Sequence, residues 1–344
     1  MISNFVKTDR GILEYSHTIG IFADEGRGFQ KPVDLVFDKH GRILVLNRAA
    51  NWARIGICNL DEEYLGEIGS FGKEDGQWIW GTALALDNEG RLYVSDEYMN
   101  RITIFDTSGE FFEKWGVQGK AVGELNGPSG MCFDAEDNLY VVDHRNHRIQ
   151  KFTKHGEYLD SFGSYGDGNG EFNLPWGITI DISGNIFVAD WRNDRIQKFT
   201  HDGEFIGKYG MSGSGDGEFN RPSSVAVDSE GYIYVADWGN ERVQILDSHG
   251  KFVMKLRGDA TLSAWAKEFL SVNEEESDAR DKANLNPHKK FISNDPHIES
   301  SQVEKYFWAP ISVKLDINGN LYVTENNRYR IQIYKRRHAL NPTS

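Results

Sequence analysis

The chain has 344 residues, of which 39% are hydrophobic and 26% are charged, so it contains enough apolar material for a sizeable core. Its net charge is −14, from 52 acidic and 38 basic residues spread over the whole sequence, which argues against nucleic acid or an anionic membrane surface as a partner. No apolar run reaches the length of a membrane span, and residues 1–15 lack the pattern of a secretory signal. We therefore expect a cytoplasmic protein.

A pattern of short β-rich segments occurs six times along the chain. It is clearest at residues 174–199, where ITI and NIFVA alternate as strands do, a turn joins them and RIQKF follows as a third strand. The acid that ends the first strand recurs at steps of 49, 47, 47, 47 and 88 residues: Asp38, Asp87, Asp134, Asp181, Asp228 and Asp316. The last step therefore contains an insertion of about one repeat.

A fourth strand follows in most copies, as in GEYLDSFG and GEFIGKYG. Four antiparallel strands in a repeat of this length predict a propeller blade, because one unit cannot bury both of its own faces. The sixth copy ends after RIQIYKRR without a fourth strand, and residues 11–20 have the spacing to supply it. The sequence therefore predicts an all-β protein, a single six-bladed β-propeller over residues 11–336 that residues 11–20 close.

The insertion, residues 258–305, lies between blades five and six. Its first part places four apolar residues on one helical face: Leu262, Trp265, Phe269 and Leu270. The segment leaves the fourth strand of blade five, so it starts from the face that carries the blade-to-blade loops, called here the top face. We therefore predict a partly helical lid over this face, with Trp265, His288 and His297 as its site residues.

The two cysteines do not predict a disulfide. Cys58 and Cys132 fall in strands of the first and third repeats, which are not neighbours in a propeller. Free thiols fit a reducing compartment, in agreement with the cytoplasmic expectation.

The motifs VADWRNDRIQKF, at residues 188–199, and VADWGNERVQIL, at residues 235–246, resemble the NHL-repeat family of six-bladed propellers. The resemblance covers nearly the whole chain and is most specific in repeats three to five. It implies a scaffold whose uses in the family and in similar propellers include RNA binding, protein binding and a few metal-dependent enzymes, such as the peptide-amidating lyase. Function therefore has to be argued from the site.

Tryptophan marks the top face. Eight of the nine tryptophans map to top loops, strand starts or the insertion: Trp52, Trp78, Trp80, Trp176, Trp191, Trp238, Trp265 and Trp308. Such rings can stack on a sugar, a base or another aromatic ligand, or they can fill the channel as packing. We predict a ligand-binding set made of seven residues: Arg48, Trp80, Trp176, Trp191, Arg221, Trp238 and Trp308.

Positions that differ among the six copies are candidates for function, since the structure alone would favour one residue. The residue after the acid that ends the second strand takes five identities in six copies: Arg48, Glu97, His144, Trp191, Trp238 and Asn326. Asp34 stands where the other copies carry a small residue. We name His144, Glu97 and Asp34 as catalytic candidates. The acid itself and the arginine after it, as in Asp190 and Arg195, are interpreted as structural caps.

His144 is also the candidate ligand for a divalent metal ion, with Asp34, Glu97 or a histidine of the insertion as partners. The six residues that follow the second-strand acids, called here the column, include one histidine. The zinc site that the lyase resemblance implies would need three or four imidazoles. Two functions stay open. One is a scaffold with a lidded, tryptophan-rich pocket for a small molecule or a protein partner, and the other is a metal-dependent lyase or hydrolase.

Overall fold

The computed structural model describes residues 12–287 and 295–337. Over these ranges it contains six antiparallel sheets of four strands each. In five sheets the four strands follow one another along the chain, and the sixth sheet combines the last three strands with the first. The predicted all-β, six-bladed propeller is confirmed.

The blades are built from strands of three to eight residues. Blades one to three contain Pro32–Phe37, Ile43–Ala49, Trp52–Cys58 and Tyr64–Ile68; Gly81–Leu86, Leu92–Asp96, Arg101–Phe105 and Phe111–Trp115; Pro128–Phe133, Asn138–Asp143, Arg148–Thr153 and Tyr158–Phe162. Blades four to six contain Ile178–Ile180, Ile186–Asp190, Arg195–Phe199 and Phe205–Tyr209; Pro222–Val227, Ile233–Asp237, Arg242–Leu246 and Phe252–Leu256; Pro310–Leu315, Leu321–Glu325, Arg330–Arg337 and Ile12–Ile19. Two short strands, Ser70–Phe71 and Gln77–Trp78, pair in the loop that joins blades one and two.

The first strands of the blades form a closed ring around a central channel. Each contacts the first strands of both neighbouring blades, and that of blade six contacts that of blade one. The apolar core lies between successive blades: Tyr140 and Ile149 of blade three, for example, pack with Ile178 and Phe199 of blade four. Because the core is divided among such interfaces, one open interface weakens the whole ring.

The N-terminal strand closes blade six as expected. Ile12–Ile19 pairs antiparallel with Arg330–Arg337, from Ile12 opposite Arg337 to Ile19 opposite Ile331. Ile19 is fully buried in the cluster between blades six and one. The strand therefore covers a sheet edge and also adds to the core.

The helices lie in the insertion, as the sequence predicts: α1 (Ala264–Val272), α2 (Glu274–Lys282) and α3 (Pro296–Gln302). Three-residue 3₁₀ helices also follow the second strands of blades three, four and five: His144–Asn146, Trp191–Asn193 and Trp238–Asn240. In the part of the chain that the structure describes, no helix is long and apolar enough to cross a membrane.

The first part of the insertion lies along the outer edge of the ring, not over the channel. We call residues 259–268 the clasp. Its Thr261 N–H donates to the Tyr15 hydroxyl of blade six at 2.9 Å, and its Ala264 N–H donates to the Glu62 carboxylate of blade one at 2.8 Å. The clasp therefore crosses the seam between the two blades that the closing strand joins.

Trp265 is the anchor of the clasp. Its side chain is 2% exposed, its indole N–H donates to the Glu62 carbonyl, and its ring meets Phe29 edge-on at 5.6 Å between ring centres. The prediction that Trp265 belongs to a lid over the top face is wrong, because the ring is part of the core between blades six and one.

The reason lies in blade one. The residue four positions after the arginine of the third strand is large in the other blades: Phe105, Phe152, Phe199, Leu246 and Tyr334. In blade one it is Cys58, which shares an apolar cluster with Phe29 and Trp265. The indole therefore supplies volume that the small thiol leaves unfilled, as close packing requires. Cys58 and Cys132 are both free thiols, as predicted.

Deletion of residues 1–20 should open the ring. We expect insoluble protein, or a free energy of unfolding lowered by at least about 3 kcal/mol, because an unpaired sheet edge and its buried contacts are exposed. Soluble yield and urea denaturation measure this. Deletion of residues 1–11 is the control, since it leaves Ile12–Ile19 in place, and equal stability of the two truncated proteins would contradict the closure.

Trp265→Ala should lower the free energy of unfolding by about 3 to 5 kcal/mol, since it leaves a large cavity in the core. Phe269→Ala, on the same helix but with its side chain 45% exposed, should cost less than about 1 kcal/mol. Denaturant unfolding of both variants tests whether the clasp is structural. Similar small losses would mean that the clasp does not bear on the fold.

Candidate functional site

A buried acid at the end of the second strand holds the loops of the top face. In blade four, Asp190 accepts from the Asn173 N–H, from Arg195 Nε and from Asn193 Nδ2, each at 2.8 Å. Arg195 donates in turn to the carbonyl of Glu171, also at 2.8 Å. The same arrangement surrounds Asp143 and Asp237. These residues are structural caps, as predicted, and they fix the loops that carry the site.

A cavity of about 450 Å³ opens where these loops surround the top end of the channel. We call it the mouth. Its lining comes from blades one, two, four, five and six: Lys31, Arg48, Ala49, Ala50, Trp80, Trp176, Trp191, Ser223, Trp238, Ala309, Ile311, Asn326 and Asn327. The structure therefore brings together five of the seven predicted ligand-binding residues.

The four tryptophan rings of the mouth are carried by four separate loops. Trp191 and Trp238 begin the 3₁₀ helices that follow the caps Asp190 and Asp237. The Trp176 N–H donates to the Ala189 carbonyl at 2.8 Å, which fixes the entry to blade four. The Trp80 N–H donates to Asp96, the cap of blade two, at 3.1 Å. Each ring is thus placed by a backbone that the fold holds rigidly.

The other two predicted binding residues lie outside the lining. The Arg221 guanidinium lies 5.3 Å from the ring centre of Trp191, so it supports that ring by a cation–π contact. Trp308 donates its indole N–H to Nε2 of His297 at 3.2 Å. Both side chains therefore lie next to the mouth, at what we call its rim: Arg221 contacts Trp191, and Trp308 contacts His297.

Blade one contributes an unusual wall. Arg54 follows Asn47 by seven positions, whereas in the other blades the arginine follows the acid by five. The extra length extends the hairpin that carries Arg48. Arg48 Nη1 donates to the Gly81 carbonyl at 3.0 Å, and its guanidinium lies 4.5 Å from the ring centre of Trp80. Burial lowers the pKa of Arg48 to about 10, which leaves it charged at neutral pH.

Lys31 stands beside this hairpin. Its backbone carbonyl accepts from the Arg48 N–H at 3.3 Å, and its Nζ donates to Asn327 Oδ1 of blade six at 2.7 Å. Burial lowers the pKa of Lys31. Two cations from blade one therefore face a mouth whose other walls are mainly aromatic and apolar.

The catalytic candidates His144 and Glu97 do not line the mouth. His144 is 7% exposed and meets the edge of Trp176 at 5.1 Å between ring centres. Its Nε2 lies 3.9 Å from Glu97 Oε1, and Glu97 also accepts from Arg145 Nη2 at 2.6 Å. Burial is the main cause that lowers the pKa of His144 to about 4, and the positive charge of the nearby Arg145 is the second cause. The imidazole is therefore neutral at pH 7 and does not titrate near neutrality, which corrects the sequence expectation.

Glu97 faces a second depression, separated from the mouth by the ring of Trp80. Tyr98, Gln118 and Arg145 also line it. The ion pair with Arg145 holds the Glu97 carboxylate at this side. Trp80 is thus shared between two concave surfaces of the top face.

Asp34, the third catalytic candidate, lies inside the channel and is 4% exposed. It accepts from the Leu84 N–H at 3.0 Å and from the Ser312 hydroxyl at 2.7 Å, and Lys314 Nζ lies at 3.3 Å. These partners belong to blades two and six, so Asp34 ties three first strands together. The structure does not join it to His144 and Glu97 in one constellation.

The metal hypothesis has no matching set of ligands. Within residues 12–287 and 295–337, three potential ligand atoms lie within 4.8 Å of one another only at Asp87, Glu89 and Asp137. Arg91 Nε donates to Asp87 at 2.7 Å, and Lys154 Nζ donates to Asp137 at 3.3 Å, so cations already compensate this group. His144 is not part of it, and one imidazole beside one paired carboxylate does not fit a structural or catalytic zinc site.

Helix α3 of the insertion reaches the top face. His297 Nδ1 lies 2.5 Å from Glu241 Oε1, and its Nε2 accepts from the Trp308 indole. A neutral imidazole that accepts at Nε2 carries its proton on Nδ1, so it donates to Glu241. Glu241 is buried, and burial raises its pKa. Of the predicted lid residues, His297 thus lies at the rim, and His288 lies outside the described residues.

Several lining residues were missed by sequence reasoning: Ala49, Ala50, Ser223, Ala309, Ile311 and Asn327. Most are small or apolar and resemble ordinary propeller residues. The longer spacing between Asn47 and Arg54 was the visible sign of the extended hairpin, and hence of Ala49 and Ala50 in the wall.

Comparisons with known proteins agree with this architecture. Residues 125–152 match the model of the NHL repeat, and residues 182–275 match a family described as a 6-bladed beta-propeller. This chain is a six-bladed β-propeller that contains a segment matching the NHL repeat. No curated protein matches its sequence.

Solved structures that are similar to this propeller differ in what their names say. A catalytically inactive virginiamycin B lyase from Staphylococcus aureus with quinupristin has 12% identity and a TM-score of 0.57, and the match covers 94% of this chain and 99% of that one. A protein of unknown function from Bacteroides thetaiotaomicron has 18% identity, a TM-score of 0.61 and coverage of 95% and 76%. An auxiliary nutrient binding protein from the same species has 12% identity and a TM-score of 0.60, and the match covers 94% of this chain and 72% of that one. At such identities the likeness shows the fold alone.

The low pKa of His144 predicts acid sensitivity. The folded protein keeps this imidazole neutral down to about pH 4, whereas the unfolded chain protonates it near its ordinary value of 6.5. The unfolded state therefore binds more protons as the pH falls from about 6.5 to 4, and stability falls with it. Over this window the wild type should lose about 3 kcal/mol more than His144→Gln.

Urea unfolding at pH 7, 5.5 and 4 measures the difference between the two proteins. His201→Gln is the control, because its side chain is 71% exposed. If His144→Gln, His201→Gln and the wild type lose stability in parallel, the imidazole of His144 is not held neutral by burial.

Proposed function

We propose that this propeller binds a ring-bearing small molecule in its mouth by stacking the ring against tryptophan. The observation that carries the proposal is the convergence of Trp80, Trp176, Trp191 and Trp238 on one concave cavity of about 450 Å³. Small-molecule sites are typically clefts of about 300 to 1,000 Å³ with mainly apolar and aromatic walls and a few polar groups. The mouth has this size and this composition.

The arrangement of the rings supports the proposal. Arg48 covers one surface of Trp80, and Arg221 and Arg192 lie 5.3 and 4.9 Å from the ring centre of Trp191. These contacts hold the ring planes before any ligand arrives, which lowers the entropy that binding has to overcome. A preorganised aromatic wall is well suited to a flat or ring-shaped ligand.

Packing is the alternative role for these rings, and the neighbouring residues argue against it. Trp265 of the insertion is buried at the outer seam and fills no part of the mouth. The four rings are themselves only partly buried. Their surfaces therefore remain available to a ligand.

The proposal includes binding and no reaction, because the catalytic candidates are occupied by structural partners. Glu97 pairs with Arg145, and Asp34 is bound by Leu84 and Ser312. A protein partner would have to insert a protruding side chain or loop into the same cavity. Competition between such a partner and a small ring compound would then be observed at the same tryptophans.

The test is a thermal-shift and tryptophan-fluorescence screen with indoles, nucleosides and aryl glycosides. We expect at least one ring class to raise the melting temperature, since a ligand that binds the native state stabilises it. Trp238→Ala should weaken that binding about tenfold or more, because a stacked ring contributes about 1 to 3 kcal/mol. Its free energy of unfolding should change by less than about 1 kcal/mol, as for other substitutions that leave no buried cavity.

Trp115→Ala is the matched control, since Trp115 contacts Phe152 on the outer part of the ring and does not line the mouth. Its binding should equal that of the wild type. If no ring compound shifts the melting temperature and Trp238→Ala destabilises the fold by about 3 kcal/mol or more, the rings are packing and the proposed function is wrong.

A further inference from the structure

The mouth carries two cationic side chains, Lys31 and Arg48, and no carboxylate of the described residues lines it. The whole chain has a net charge of −14, so a cationic cavity is the reverse of the average surface. In the column of residues after the second-strand cap, the other blades carry an acid, a histidine, tryptophans or an asparagine, and only blade one carries a cation. The charge of the mouth is therefore a local feature of this blade.

Among the residues that the structure describes, neither cation forms an ion pair. Lys31 Nζ donates to the amide oxygen of Asn327, and Arg48 Nη1 donates to the carbonyl of Gly81. In the described ranges, neither has a carboxylate within ion-pair distance, and the acids Asp96 and Glu97 act on Arg48 only from farther away.

The arginines beneath the neighbouring loops behave differently. Arg148, Arg195 and Arg242 each donate Nε to the acid of their own blade, at 2.7, 2.8 and 2.7 Å. A partly buried cation without a counter-ion costs free energy, and a bound anion would offset that cost. The guanidinium of Arg48 also keeps N–H donors beyond the one that Gly81 uses, and such donors match a carboxylate or phosphate.

We propose that the ligand of the mouth is an anion, a ring compound that carries a carboxylate or a phosphate. The ring stacks on the tryptophans, and the oxyanion is bound by Arg48 and Lys31. This inference rests on the proposed function, since it assigns the charge of a ligand that the same cavity takes. It makes Arg48 and Lys31 the residues that determine specificity.

The test uses compounds that differ mainly in charge. Indole-3-acetate is compared with indole-3-acetamide, and 2-naphthyl phosphate with 2-naphthol, by calorimetric titration at low salt. In at least one of the two pairs, we expect the anionic compound to bind at least about tenfold more tightly than its neutral partner, because hydrogen bonds to charged groups are stronger than those between neutral groups. The two pairs also distinguish a carboxylate ligand from a phosphate ligand.

Arg48→Gln should remove most of the preference for the anion, so that the affinities of the charged and the neutral compound become nearly equal. Arg192→Gln is the matched control, since it removes one positive charge beside Trp191 but no lining residue. If Arg192→Gln reduces the preference as much as Arg48→Gln does, general surface charge explains it and the inference is overturned.

Other outcomes separate this inference from the proposed function. Equal affinity for the charged and neutral members of both pairs overturns the anion and leaves ring binding intact. If none of these compounds binds, ion quenching of tryptophan fluorescence decides the anion inference. Iodide should then quench more strongly than caesium, and the difference should shrink in the Lys31→Gln, Arg48→Gln double variant. Equal quenching by the two ions in the wild type overturns the inference.

Discussion

A buried acid at the end of the second strand is the interaction on which the top face depends. Asp143, Asp190 and Asp237 each accept from the loop that enters their blade and from the arginine that begins the third strand. A carboxylate with several donors is stable in a buried position, although burial raises its pKa. Because the loops are held from below, their side chains are free to vary, and the mouth is built from that variation.

Blade one is where the repeat departs most from its own pattern. Asn47 replaces the acid, so Arg54 turns to Glu67 and to the carbonyl of Gly28. The hairpin is longer and carries Arg48, and Cys58 leaves space that Trp265 fills. In the same blade Asn47 still accepts from the Gln30 N–H of the entering loop at 3.1 Å, so only the arginine half of the cap is missing. This blade also supplies the cations of the mouth and packs against the clasp.

The strands could be predicted because period-two alternation and turn residues repeat at a fixed spacing, and each copy supports the others. The surface on which the insertion packs could not be predicted from the sequence. An apolar helical face shows that Trp265 must be covered, but it does not say by which surface, and the small Cys58 is recognisable as its partner only when the fold is known. Strand counting places His144 at the top, whereas its burial, and hence its pKa of about 4, depends on Trp176 and the neighbouring loop.

The closing strand also has a consequence for the order of folding. Ile12 pairs with Arg337, so the contact joins positions 325 residues apart in the sequence, whereas most strand pairs join segments within one repeat. Contacts over such separations form late, because the chain between them must be ordered first. During synthesis the outer edge of blade one stays uncovered until the clasp and the strands of blade six have been made. The seam between blades six and one is therefore the place where a newly made chain stays open longest and where a chaperone would find exposed apolar surface.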